Sequence, residues 1–105
     1  MNQLQPQQLP LTIPADQLAA FCRRHHIRRL ALFGSVLRQD FRPESDIDVL
    51  VEFAPGHVPG LAFFAMQDEL SQILGHPVDL NTPQFISPYF RGQVQAEATV
   101  IYEQA

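Results

Sequence analysis

The sequence predicts a small α/β domain of the α+β kind, with helices laid against a small mixed β-sheet. Three observations carry that expectation. At 105 residues the chain is long enough for one modest hydrophobic core and too short for two. Segments of helical period alternate with short apolar, β-branched runs in the order α-β-α-β-α-β-α-β. Clusters of Gly and Pro punctuate the joins. Composition agrees, with 46% hydrophobic and 17% charged residues, ordinary for a globular chain.

Residues 1–13, opening MNQLQPQQLP, are polar, Gln-rich and interrupted by proline, and read as a flexible N-terminal arm. Residues 14–105 read as one domain. From Pro14, a residue suited to a first helical turn, Leu18, Phe21, Cys22 and then Ile27 recur at helical spacing. RLALF (29–33) reads as a short buried strand that stops at Gly34-Ser35. Residues 36–40 allow at most a brief helix, and FRPES is a loop broken at Pro43. DIDVLVEF (46–53) is the strongest strand signal in the chain.

After the turn-rich APGHVPG, residues 61–74 place Leu61, Phe64, Ala65, Leu70, Ile73 and Leu74 on an apolar stripe. Gly75 suits the position just past the helix end, with Pro77 beyond it. HPVDLNT holds another short strand, PQFISPYFRGQVQAEA one or two short helices, and TVIYE (99–103) the last strand.

The net charge is −4, and all seven positive residues are Arg. A chain this acidic is poorly suited to gripping a phosphate backbone, so no direct nucleic-acid binding is expected. The one basic cluster, RRHHIRR (23–29), suits a solvated helix C-terminus. Cys22 is the only cysteine, which excludes an intrachain disulfide; its apolar surroundings predict a small buried side chain. With no signal-peptide pattern and no apolar run of membrane-spanning length, a soluble cytoplasmic protein is expected.

Asp46 and Asp48 interrupt the best strand. Strand side chains alternate, so these carboxylates share one face while Ile47, Val49 and Val51 take the other. Two ionised groups roughly 6–7 Å apart along a strand repel unless a cation lies between them. Hard oxygen ligands suit Mg²⁺ or Mn²⁺, which bind one or two carboxylates together with substrate phosphates. Asp79, between Val78 and Leu80, has the same character and could complete a site for two ions or take a proton from an attacking hydroxyl. Gly34-Ser35, after a strand and before a helical turn, can cradle phosphate oxygens, and Arg38 one turn on can reach the same place. Each feature alone has a plain structural explanation, as a turn or an exposed strand end; their fixed order is what points to nucleotide chemistry.

Gly34-Ser35, ten residues, then Asp46-Ile47-Asp48 resemble the G-S-x10-D-x-D motif of the DNA polymerase β-like nucleotidyltransferase superfamily. The flanks LALFGS and SDIDVLVEF, the segment LGHPVDLNTP and the tail YFRGQVQAEATVIYE extend the likeness over roughly residues 14–103. The similarity is to its short branch, the minimal nucleotidyltransferase (MNT) antitoxins that partner HEPN toxins. This resemblance implies a nucleotidyltransferase fold and transfer of AMP from ATP to a tyrosine hydroxyl of a HEPN ribonuclease, in a hetero-oligomer. It implies that Asp46, Asp48 and Asp79 are catalytic residues holding two Mg²⁺ ions, Mn²⁺ being able to stand in. Gly34, Ser35 and Arg38 would hold the nucleotide phosphates. One departure is Gln39, where many members have Gly; if that position needs positive φ, a side chain there costs on the order of 1–2 kcal/mol.

Three other functions compete with this enzyme. An MNT-fold module could neutralise its partner by covering it, with catalysis weak or lost, but the presence of all three acidic residues favours catalysis. Transfer to a small molecule, or templated polymerisation, would call for substrate-binding structure that the short acidic chain does not offer.

Overall fold

The computed structural model describes residues 9, 11–38, 41–42 and 44–104. Its elements run α1 (Ala15–Arg24), β1 (Ile27–Phe33), a 3-10 turn (Gly34–Leu37), β2 (Ile47–Phe53), α2 (Ala62–Leu74), β3 (Val78–Asn81), a second 3-10 turn (Pro83–Phe85), α3 (Pro88–Glu97) and β4 (Thr99–Glu103). The four strands form one mixed sheet in the order β3-β2-β1-β4, with β2 and β3 parallel and the other pairs antiparallel. The predicted order and class are therefore present, and β4 has the predicted bounds.

Alternation along the strands separates two faces. Leu30, Leu32, Ile47, Val49, Val51, Val78 and Leu80 join Leu18, Phe21 and Cys22 of α1 and Met66, Leu70 and Leu74 of α2 in one buried cluster. Burial pushes the Cys22 thiol up to about 12, which makes it a packing residue rather than a nucleophile. The opposite face carries Asp48, Leu50 and Glu52 of β2 beside Phe33, Ala31 and Arg29 of β1. Ala31 and Leu50 are buried but stand outside the core cluster, and α3, which crosses near them, buries none of its own residues. The sheet thus has one closed face and one lightly covered face.

Several local expectations need correction. Ile27 does not continue α1: the chain leaves the helix at His25, His26 adopts φ +56, and Ile27 opens β1 fully packed in the core. In α2 the inward stripe is Phe63, Met66, Leu70, Ile73 and Leu74, whereas Leu61 (86% exposed) and Phe64 (65% exposed) face outwards. Gly75 does cap α2, at φ +71, the left-handed conformation that glycine adopts without strain. Most of the 1–13 arm, and Pro43, lie outside the described residues; within the arm Leu9 is buried, and Leu11 and Ile13 pack on the core. Among the described residues, no helix is long and apolar enough to cross a membrane.

Four residues of the basic cluster 23–29, Arg24, His25, Arg28 and Arg29, each face an acidic side chain. Arg24 and His25 both meet Glu69 of α2, His25 Nε2 at 3.0 Å from Glu69 Oε1. Arg28 donates to Glu52 Oε1 at 2.9 Å, and Arg29 lies 3.9 Å from the other oxygen. His57, exposed in its loop, stacks on His26 with ring centroids 4.0 Å apart.

Candidate active site

Three strands bring the site residues to one corner of the lightly covered face. Asp48 is the second residue of β2; across the ladders it pairs with Phe33, the last residue of β1, and with Asp79, the second residue of β3. Residues paired in a sheet project to the same side, so the Asp79 carboxylate stands beside that of Asp48. Asp46 lies one residue before β2, exposed, rather than inside the strand as the sequence predicts. Behind them Ile47, Val49, Val78 and Leu80 are buried in the core, which fixes the strands that carry the carboxylates.

Gly34 starts the 3-10 turn at the end of β1, and buried Val36 anchors that turn. Gly34 has φ +77. A Cβ at this position would collide with Asp48 Oδ2 and stand 3.1 Å from Asp48 Cγ. Glycine is therefore required twice, for the backbone conformation and for the close approach to the carboxylate. Ser35 follows, half-buried, and its carbonyl accepts from Arg38 N at 2.9 Å, which closes the turn. Arg38 itself is extended, at φ −108, and exposed. Gln39, the departure from the family pattern, lies outside the described residues.

Electrostatics tie the groups together. Partial burial raises the Asp48 pKa above its ordinary 3.8, the negative charges of Asp79 and then Asp46 raise it further, and Arg38 pulls the other way. Each residue chosen from the sequence as an acid of the site, and Arg38 with them, thus lies in the field of Asp48. Among the described residues no three His, Cys, Asp or Glu side chains close into a ready-made metal cage. Asp48 and Asp79 stand side by side across the ladder, with Asp46 near enough to raise the Asp48 pKa. Such a donor set fits Mg²⁺ or Mn²⁺, which keep waters and take their remaining ligands from substrate phosphates.

Two residues that the sequence analysis did not single out hold Asp79 in place. Ser71 Oγ of α2 accepts from Val78 N at 3.0 Å, and Gln67 Oε1 accepts from Leu80 N at 2.9 Å. Both bonds satisfy the outer edge of β3 and flank Asp79. Their sequence signal is two polar residues at i and i+4 in a helix that also carries Asp68, Glu69 and Gln72, which reads equally well as solvent exposure.

One cleft, about 480 Å³, is lined by Phe53, Val58, Phe63 and Phe64, with Pro83 and the Arg28–Glu52 pair around them. Phe53 lies five steps along β2 from Asp48, roughly 16 Å at strand spacing, so this cleft belongs to the far end of the sheet. A smaller one, about 240 Å³, opens on the same face as Asp48 between the sheet and α3.

The glycine turn, the paired aspartates and the mixed sheet define a nucleotidyltransferase, and the chain belongs to the nucleotidyltransferase domain family, whose model matches residues 15–101. A candidate protein adenylyltransferase of Methanocaldococcus jannaschii, MJ0435, is 36% identical over 75 residues, covering 71% of this chain and 80% of that one. A solved structure of a candidate minimal nucleotidyltransferase is 34% identical with TM-score 0.65, covering 80% of this chain and 85% of its own. Two more distant structures share the fold at 22% identity. A toxin–antitoxin complex with AMP-PNP has TM-score 0.68, covering 87% of this chain and 74% of its own. A Shewanella oneidensis complex of tri-AMPylated HEPN toxin with MNT antitoxin has TM-score 0.60, covering 86% of this chain and 70% of its own.

Proposed function

We propose that this chain is the antitoxin of a HEPN/MNT pair and that it transfers AMP from ATP to a tyrosine hydroxyl of its HEPN-domain toxin, with two Mg²⁺ ions at Asp46, Asp48 and Asp79. One observation carries the reading: Asp48 stands between Asp79 on the neighbouring strand and the glycine turn packed against its carboxylate. The names of the relatives, protein adenylyltransferase and MNT antitoxin bound to an AMPylated toxin, support the acceptor and the partner. The AMP-PNP complex supports ATP as the nucleotide. A cytoplasmic setting, where ATP and Mg²⁺ are at hand, fits this role.

In this reading the backbone N–H groups of the Gly34-Ser35 turn and the Ser35 hydroxyl orient the β- and γ-phosphates. Arg38 adds a cation at the same edge. Asp79, on the far side of Asp48 from that turn, faces the acceptor and takes the proton of its hydroxyl. The tyrosine oxygen then forms a bond to the α-phosphorus as the bond to the β-phosphate bridging oxygen breaks, releasing pyrophosphate. Divalent cations, when bound, supply charge neutralisation at both the entering and the leaving oxygen.

The test is incubation of the co-purified HEPN partner with Mg²⁺ and ATP labelled at either the α- or the γ-phosphate. Label should reach a partner tyrosine from the α-position only, and the Asp46→Ala, Asp48→Ala double variant should abolish it. Equal silencing of the toxin by that double variant would show that covering the partner suffices, and would overturn the catalytic reading.

A further inference from the structure

The smaller cleft has no part in the phosphate or acid–base chemistry, yet it opens on the same face of the sheet. Its floor is Ala31 and Leu50, both buried. Gln95 of α3 and Ala98, just past the end of that helix, form the opposite wall, and Arg29 with Glu52 closes the far end. Leu50 and Ala31 lie two residues from Asp48 and Phe33 along their strands, about 7 Å at strand spacing.

We propose that this cleft seats the purine base of the nucleotide, with the Gln95 carboxamide reading its edge. The inference rests on the nucleotidyl-transfer reading and adds the base-binding residues to it. Direction decides the assignment. The glycine turn continues β1, Asp48 is on β2 and Asp79 on β3, so the line from leaving pyrophosphate to attacking oxygen runs across the strands. In an in-line displacement the sugar oxygen leaves the α-phosphorus roughly perpendicular to that line. The cleft is displaced along the strands, on that perpendicular, and so takes the nucleoside rather than the acceptor. Size agrees. At about 240 Å³ it falls below the ~300 Å³ at which pockets begin to hold whole drug-sized ligands, and suits one flat heterocycle. Chemistry agrees as well. An apolar floor matches the face of a purine, and a glutamine amide presents the donor and acceptor that pair with adenine's amino group and ring nitrogen.

The test compares ATP with inorganic tripolyphosphate by isothermal titration calorimetry in Mg²⁺, on the wild-type chain and on Gln95→Ala. Gln95 is exposed on a helix that buries nothing, so the substitution leaves the core intact. The expected result is about a tenfold loss of ATP affinity with tripolyphosphate binding unchanged. Ala98→Leu, which narrows the cleft, should do the same, with the far-ultraviolet spectrum unchanged. Unchanged ATP affinity in both variants, or equal loss of both ligands, overturns the assignment. If wild type binds neither ligand in Mg²⁺, the nucleotidyl-transfer reading itself falls, an outcome separate from the first.

Discussion

Asp48 shows how a single side chain bears opposed demands. It is half-buried, has two carboxylates as neighbours and touches a backbone turn that leaves no room for a Cβ. Its raised pKa means that the folded chain holds a proton at this site more tightly than the unfolded chain does. Stability without divalent cation therefore falls as pH rises from 3.8 through the folded value of Asp48, and the penalty persists above it. Asp48→Asn should raise the metal-free melting temperature by a few degrees and flatten its decline with pH, while abolishing transfer; a thermal melt series across pH checks both. Gly34→Ala tests the contact from the other side. The left-handed φ alone costs about 1–2 kcal/mol, and the added methyl must push the Asp48 carboxylate away. AMP transfer should fall by far more than that stability loss accounts for, as parallel activity and denaturant curves would show.

At the scale of elements, α2 serves as both core and brace. Its inner side buries Met66, Leu70 and Leu74, while Gln67 and Ser71 hold the outer edge of β3, which would otherwise offer unpaired N–H groups to solvent or to another chain. Glu69 ties the same helix to α1 through Arg24 and His25. The Arg24 hydrogen bond is the main cause of the lowered Glu69 pKa, so this stabilisation is present above the ordinary 4.5 and is lost as pH falls through the lower folded value. With Arg24 56% and Glu69 32% exposed, the tie is worth at most about 1 kcal/mol. Glu69→Ala should cost no more than that in urea unfolding and leave transfer intact.

The stripe of α2 is ambiguous in sequence because AFFAM is apolar all round, so two helical registers fit equally well. Tertiary packing chose the one through Phe63 and Met66. The place of Ile27 is hidden in sequence because nothing in HHI announces that His26 takes a positive φ and turns the chain.

For the whole molecule, the strands and the acidic corner were legible because their signals are local. β-Branched runs fix the period, and alternation sets Asp48 on the side opposite Ile47 and Val49, while Asp46 falls just before the strand. What could not be read was the company each residue keeps across the sheet. The pairing of Asp48 with Asp79, the collision that excludes a side chain at Gly34, and the cleft beneath α3 all depend on which strands lie adjacent. Gathering three acids at one corner, with Arg38 offsetting only part of their charge, also sets a property of the entire fold. Mg²⁺ with ATP should raise the melting temperature markedly, because only the folded chain assembles the ligands. Asp46→Asn with Asp48→Asn should remove most of that shift, read by differential scanning fluorimetry.

The brace from α2 to β3 has one more result. Ser71 and Gln67 meet alternate backbone amides of β3, and Pro77 O accepts from Ile47 N at 2.8 Å where that strand begins. Together they act as a gauge that counts residues between helix and strand. Inserting one residue after Gly75 would advance β3 by one step, turning Asp79 inwards and a hydrophobic neighbour outwards. Connector length, rather than the acidic residue alone, thus decides whether the third carboxylate reaches its work, and families that drift in this loop would lose chemistry before they lost shape.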